Sequence, residues 1–119
     1  VISAGIGVDL KMAHKIVNWV LEENKKPDLT ILHCNNAYPT PIGDINLGQI
    51  QMLKNMEVST ALKVGLSDHT EGILVPPLAV MCGAVCIEKH FTLSRSLPGP
   101  DHPFAIEPLE LKDMMRRLQ

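Results

Sequence analysis

Two short stretches hold the residues whose types can do chemistry. VGLSDHTEG, residues 64–72, runs from an apolar strand-like segment directly into a serine, an aspartate, a histidine and a threonine. Further along, VCIEKHF, residues 85–91, carries a second apolar run into Glu88, Lys89 and His90. Side chains alternate along a strand, so Ser67 and His69 share a face, as do Glu88 and His90, provided the extended geometry lasts that far. Neighbouring strands lie about 4.8 Å apart. If the two strands are adjacent, as consecutive βα units usually are, His69 and His90 can meet on one ion at about 2.1 Å each. Two imidazoles without a carboxylate ligand leave coordination positions for water or substrate oxygens. That suits Lewis-acid catalysis better than a closed structural metal.

Each of these residues also has a plainer reading. A histidine at a strand end is commonly a hydrogen-bonded rim residue. Ser67 and Asp68 can cap the following turn, Tyr38 can anchor its loop, and Asp101 in PGPD can be a turn residue. Glu88 can be a buried carboxylate paired with a lysine. His14 and His33 lack polar company and read as structural. Cys82, Cys86 and His90 stand four apart, but Gly83 and Ala84 break any helix that would aim them at one zinc ion.

The elements that must position this chemistry follow from changes in apolar period, each at a cluster of glycine, proline, asparagine or aspartate. VIS is short and extended. From about Asp9 to Asn24, Met12, Ile16, Trp19 and Val20 recur at helical spacing. LTILHC, 29–34, is an apolar run too short for a helix and reads as a strand covered on both faces. After the loop NNAYPTPIGD a helix is predicted from about Ile45 to Asn55, with Asp44 as N-cap. ALKVGLS, 61–67, is the third strand, and a helix follows from Pro76 or Pro77 to Gly83. VCIEKHF is the fourth strand. A polar loop then leads to a helix from about Glu107 to Arg117 with Leu111, Met114 and Met115 inward and basic residues near its end.

The result is four consecutive βα units, hence an α/β fold with a parallel sheet. Such a set makes either a small open sheet or half of an eight-stranded barrel. The first and last strands are not blunted by charge or proline, which favours a piece of something larger. In parallel α/β folds ligands lie at the carboxyl ends of the strands, where Ser3, Asn35, Asn36, Tyr38, Ser67, Asp68, His69, Glu88, Lys89, His90, Asp101 and His102 fall.

Composition excludes several classes of function. The chain has 119 residues, 45% hydrophobic and 20% charged, with a formal net charge of −2. With so few aromatics and no basic excess, a nucleic-acid partner is not expected. No apolar run reaches the about 20 residues that span a bilayer, and no leader is evident, so a cytoplasmic protein is expected. Cys34, Cys82 and Cys86 suit reduced thiols.

LHCNNAYPTP, VGLSDHTEG, IEKHFTL and PGPDH with EPLEL, in this order and at these separations, resemble the sialic acid synthase (N-acetylneuraminate synthase) family. VISAGIG is similar to that family's strand-five segment, and the likeness covers essentially the whole chain. The resemblance implies that the four units are strands five to eight, the C-terminal half of a (β/α)8 TIM barrel. Residues 1–119 would then be a single incomplete domain, without the N-terminal half-barrel and the C-terminal antifreeze-like domain.

The family condenses phosphoenolpyruvate with an N-acetylated amino sugar such as N-acetylmannosamine, releases phosphate, and requires a divalent ion, Mn2+ or Mg2+. Carried over residue by residue, the resemblance assigns the metal to His69 and His90. It assigns phosphoenolpyruvate to Ser3, Asn36 and Ser67, and the sugar to Tyr38 and Asp101. The lysines and the glutamate that the family uses for phosphate and proton transfer belong to the absent half. The isolated chain is therefore expected to be inactive, with activity appearing only with that half; a homodimer or an association with the missing half-barrel is the expected assembly. Pro76 and Pro77 depart from the family's usual helix formers, and Ala4-Gly5-Ile6 from its Thr-Gly-Met. The rival readings are a catalytically inert half-barrel that self-associates as a binding or assembly module, and another phosphoenolpyruvate-condensing enzyme of similar fold.

Overall fold

A computed structural model describes residues 1–5, 8–23, 28–56 and 62–119. Ile6, Asn24 and Ala61, which the sequence reading included, lie outside them. Four strands and four helices alternate: β1 (Ile2–Ala4), α1 (Leu10–Glu23), β2 (Thr30–Cys34), α2 (Gly48–Lys54), β3 (Lys63–Asp68), α3 (Val75–Met81), β4 (Ile87–Lys89) and α4 (Pro108–Arg117). The strands form one parallel sheet in the order β1-β2-β3-β4. The predicted alternation of strands and helices is present.

Register sorts the strand side chains into two ranks. Ile2 pairs with Ile31 and Ile31 with Val64; Ala4 pairs with His33, His33 with Leu66, and Leu66 with Ile87. The apolar members of these rows join Ala13, Val17, Ile50, Leu53, Val75 and Ala79 from the helices in one core. The alternate row takes Cys34 to Ser67 and Ser67 to Glu88 on the opposite face. Apolar burial thus anchors one face and leaves the other free for polar groups.

The helices differ from expectation in detail. On α1 the buried residues are Ala13 and Val17, while Met12 and Trp19 are exposed. Small side chains allow the helix to approach the sheet closely; the Trp19 ring stays outside, with the Lys15 ammonium 5.0 Å from its centroid. Asp9 accepts the Met12 N–H at 2.7 Å and caps the helix. The second helix starts at Gly48, and Asp44 ends a 3-10 turn (Ile42–Asp44) without capping it. Asn46 has a positive φ of 46°, which no α-helix passes through, so the predicted start at Ile45 is interrupted.

Helix α3 starts at Val75, ahead of both prolines, whose missing N–H groups cost nothing in a first turn. In α4, Met114 is buried but Met115 is exposed, because a step of one residue leaves the arc shared by Leu111 and Met114. The fourth strand is confined to Ile87–Lys89, since its partner β3 ends at Asp68; Phe91 pairs separately with Ile106.

Gly65 lies against Cys86, the residue just before β4. A Cβ there would collide with the Cys86 carbonyl oxygen and come within 2.6 Å of Leu32 Cδ2. Gly65→Ala is therefore expected to lower stability by about 1–3 kcal/mol through overpacking, read as a reduced urea midpoint; an unchanged midpoint would contradict the packing described.

A second test concerns pH. Glu107 and Glu110 form a capping box at the start of α4, and Arg95 donates to Glu110. The Arg95 guanidinium and the Glu107 N–H hold the Glu110 carboxyl below its ordinary value of 4.5. A depressed carboxyl stabilises the fold above its unfolded value and loses that contribution as pH falls through the folded one. Glu110→Ala should cost about 1 kcal/mol at pH 7, with the gap to the parent closing below pH 4.5. A pH-independent gap would exclude the ionic part of this anchor.

Candidate functional site

The carboxyl ends of the strands enclose a cleft of about 400 Å³, lined in part by Ser3, Asn36, Tyr38, Ser67, His69 and His90. Those are all but one of the residues to which the family resemblance assigns a metal or substrate role. The exception, Asp101, stands at the rim with its side chain 61% exposed and Oδ2 at 3.8 Å from His90 Nδ1. That is too long for a hydrogen bond.

The His69 and His90 rings lie edge-on to one another, at an interplanar angle of 62°, with centroids 5.4 Å apart. His69 follows β3, and its ring is fixed from β2: Nδ1 lies 2.6 Å from the Asn35 carbonyl oxygen. A carbonyl only accepts, so Nδ1 carries the proton and the neutral ring keeps its lone pair on Nε2. The His69 carbonyl oxygen in turn accepts the Thr40 N–H at 2.9 Å. Tyr38 stacks against His69 at 4.1 Å between centroids, and Phe104 packs edge-on to His90 at 5.1 Å. The Tyr38–Pro39 peptide is cis.

Ser67 donates to Glu88 Oε1 at 2.7 Å and lies 3.4 Å from His69 Nε2. Glu88 is therefore an exposed carboxylate of the cleft and not the lysine-paired, buried group of the plainer reading. The lysine of this region, Lys89, points to the other face and pairs with Asp68 at 2.8 Å. Asp68 Oδ1 accepts from both N–H and Oγ1 of Thr70, so Asp68 does cap the following turn, whereas Ser67 does not. Gly5 borders the cleft because a Cβ there would collide with the Asn36 amide.

Two groups in or beside the cleft titrate away from their ordinary values. Burial pushes the Cys34 thiol up, aided by the Glu88 charge and opposed by the neighbouring Ser67 hydroxyl. Desolvation likewise raises the Tyr38 hydroxyl, with the charges of Cys34, Asp101 and Glu88 adding to it. Both stay protonated at neutral pH and act there as hydrogen-bonding groups, not as anions. Cys34, Cys82 and Cys86 are all free thiols. Among the described residues no helix is long and apolar enough to cross a membrane.

Among the described residues no group of three or more His, Cys, Asp or Glu side chains converges as a metal cage. The two imidazoles of His69 and His90 are donors that lie side by side in the cleft. His14 and His33 are occupied elsewhere, His14 with the Asn18 amide and His33 Nε2 with the Ile45 carbonyl oxygen at 2.6 Å. His102 Nδ1 is held by Thr92 Oγ1 at 2.7 Å. Phe104 and the backbone of Asn35 shape the site without any cue in the sequence that singles them out. Both act through contacts between segments distant in the chain.

Known proteins share this arrangement of strands. The spore coat polysaccharide biosynthesis protein spsE of Bacillus subtilis superposes with a TM-score of 0.89 at 37% identity, over 98% of this chain and 32% of that one. In sequence, the N,N'-diacetyllegionaminic acid synthase of Legionella pneumophila is 48% identical over 91 residues, 76% of this chain and 25% of the relative. The N-acetylneuraminate-9-phosphate synthase of Drosophila melanogaster is 37% identical over 112 residues, 94% of this chain and 29% of the relative. The chain thus spans well under half the length of the curated relatives it matches. A model described as the NeuB family matches residues 1–119, and the chain belongs to that family.

Proposed function

We propose that this chain is the C-terminal half, strands five to eight, of a NeuB-type (β/α)8 barrel. Within the whole enzyme it serves the condensation of phosphoenolpyruvate with an N-acetylated amino sugar, giving a nonulosonic acid and phosphate. The observation that carries the reading is the proximity of His69 and His90, whose ring centroids are 5.4 Å apart at the mouth of adjacent strands. Their separation lies within the span of two imidazoles that share an ion at about 2.1 Å each. His69 is also pre-oriented, because its Nδ1 is committed to a carbonyl oxygen and its Nε2 lone pair is left for a ligand. The two imidazole donors therefore fit a divalent first-row ion such as Mn2+ better than Mg2+, which favours oxygen ligands; substrate oxygens and water would fill the remaining positions.

When bound, such an ion supplies Lewis-acid polarisation of the sugar aldehyde toward the weakly nucleophilic methylene carbon of phosphoenolpyruvate. The chain's own residues bind and orient. Ser3 and Asn36 border the cleft with neutral donors suited to phosphate or carboxylate oxygens. The single hydrogen of the Ser67 hydroxyl is given to Glu88, so Ser67 must turn from Glu88 before it can donate to an anion. Tyr38 offers a ring face and a hydroxyl to the sugar, and Asp101, exposed at the rim, offers acceptors for its hydroxyls. Free thiols suit a reducing compartment such as the cytoplasm. The share of the relatives that lies outside this chain would supply the rest of the barrel and of the site.

Purified full-length protein containing this chain should release phosphate when given phosphoenolpyruvate, an N-acetylated amino sugar and Mn2+. His69→Ala or His90→Ala should each lower kcat/KM by more than about 100-fold, and the isolated 119 residues should give no turnover. Full turnover by the isolated chain, or by either histidine variant, would refute this reading.

A further inference from the structure

The mechanism leaves one buried ionic group unused. Asp68 and Lys89 pair at 2.8 Å with side chains 0% and 3% exposed, on the face of the sheet opposite the cleft. They immediately precede His69 and His90, and they are register partners across β3 and β4. Lys89 Nζ also donates to the Thr70 carbonyl oxygen at 2.7 Å, while Asp68 Oδ1 accepts the Thr70 N–H at 2.9 Å and Thr70 Oγ1 at 2.7 Å. The turn that carries His69 is thus bracketed on both sides by one lysine, and that lysine belongs to the strand end that carries His90.

Stability alone is a poor account of such a pair. Taking two charges out of water costs several kcal/mol per ion, and apolar side chains of similar volume often serve a fold as well or better. What apolar groups cannot supply is a fixed length and direction between two backbone segments. Here the segments so joined are the two that bear the imidazoles.

The geometry points to a positioning role for the Asp68–Lys89 pair: it holds the strand ends that carry His69 and His90 at the separation that a shared ion requires. The inference rests on the reading that both imidazoles bind one ion. It assigns to Asp68, Lys89 and Thr70 an effect on metal affinity that exceeds their effect on folding.

The test uses full-length protein carrying this chain, stripped of metal and titrated calorimetrically with Mn2+ alone. Asp68→Asn combined with Lys89→Met removes both charges at nearly constant volume, so neither charge is left buried by itself. This double variant should unfold near the parent's denaturant midpoint yet bind Mn2+ about 10- to 100-fold more weakly, as when outer partners of metal ligands are removed. Thr70→Val deletes only the hydroxyl that Asp68 accepts; it should weaken binding in the same direction by several-fold, and it decides the matter if the double variant does not fold. A folded variant whose Mn2+ affinity stays within about threefold of the parent's, well short of that range, overturns the positioning role and leaves the shared-ion reading standing. A parent that binds no Mn2+ overturns both.

Discussion

The parallel pairing of β3 with β4 decides where every polar group of the site goes. With Ser67 opposite Glu88 and Asp68 opposite Lys89, side chains divide into a cleft rank and a helix-side rank. The cleft rank holds a hydroxyl bonded to a carboxylate; the helix-side rank holds a buried ion pair. A slip of one residue would exchange the ranks. It would turn the lysine ammonium toward the cleft and leave a carboxylate among apolar helix contacts without its partner. The register is therefore enforced by the cost of unpaired buried charge as well as by the hydrogen-bond ladder.

That division lets stability and chemistry occupy opposite faces of one sheet. Ile31, Val64 and Leu66 pack on Ala13, Val17, Ile50, Val75 and Ala79, and this apolar layer carries the burial. Gly65 leaves room for the Cys86 backbone that leads into β4, and the pairing of β3 with β4 sets the two histidine-bearing ends side by side. The loops then add aromatic walls: Tyr38 on His69 and Phe104 on His90. Each imidazole is flanked by an apolar ring that limits its rotation and excludes water from one side.

Much of this was legible because strand alternation and βα order are properties of short segments. VGLSDHTEG and VCIEKHF put Ser67 on one strand face with His69, and Glu88 on one with His90, from alternation alone. What escaped the sequence depended on contacts between distant segments. The choice of Asp68 over Glu88 as the partner of Lys89 follows from which face each occupies once β3 and β4 pair. The late start of α2 follows from a positive φ at Asn46, a conformation asparagine tolerates but does not announce. The inward arc of α1 turned on Ala13, a residue too small to stand out in a hydrophobic pattern yet suited to close approach.

The central claim is that the imidazoles of His69 and His90, brought together by adjacent strand ends, share one cation. Anomalous diffraction at the manganese edge, from crystals of the full-length protein grown with Mn2+, tests it most directly. A shared ion gives one strong peak between the two rings, about 2.1–2.2 Å from a nitrogen of each. A peak bound to only one of the two histidines, or located away from both, would contradict it.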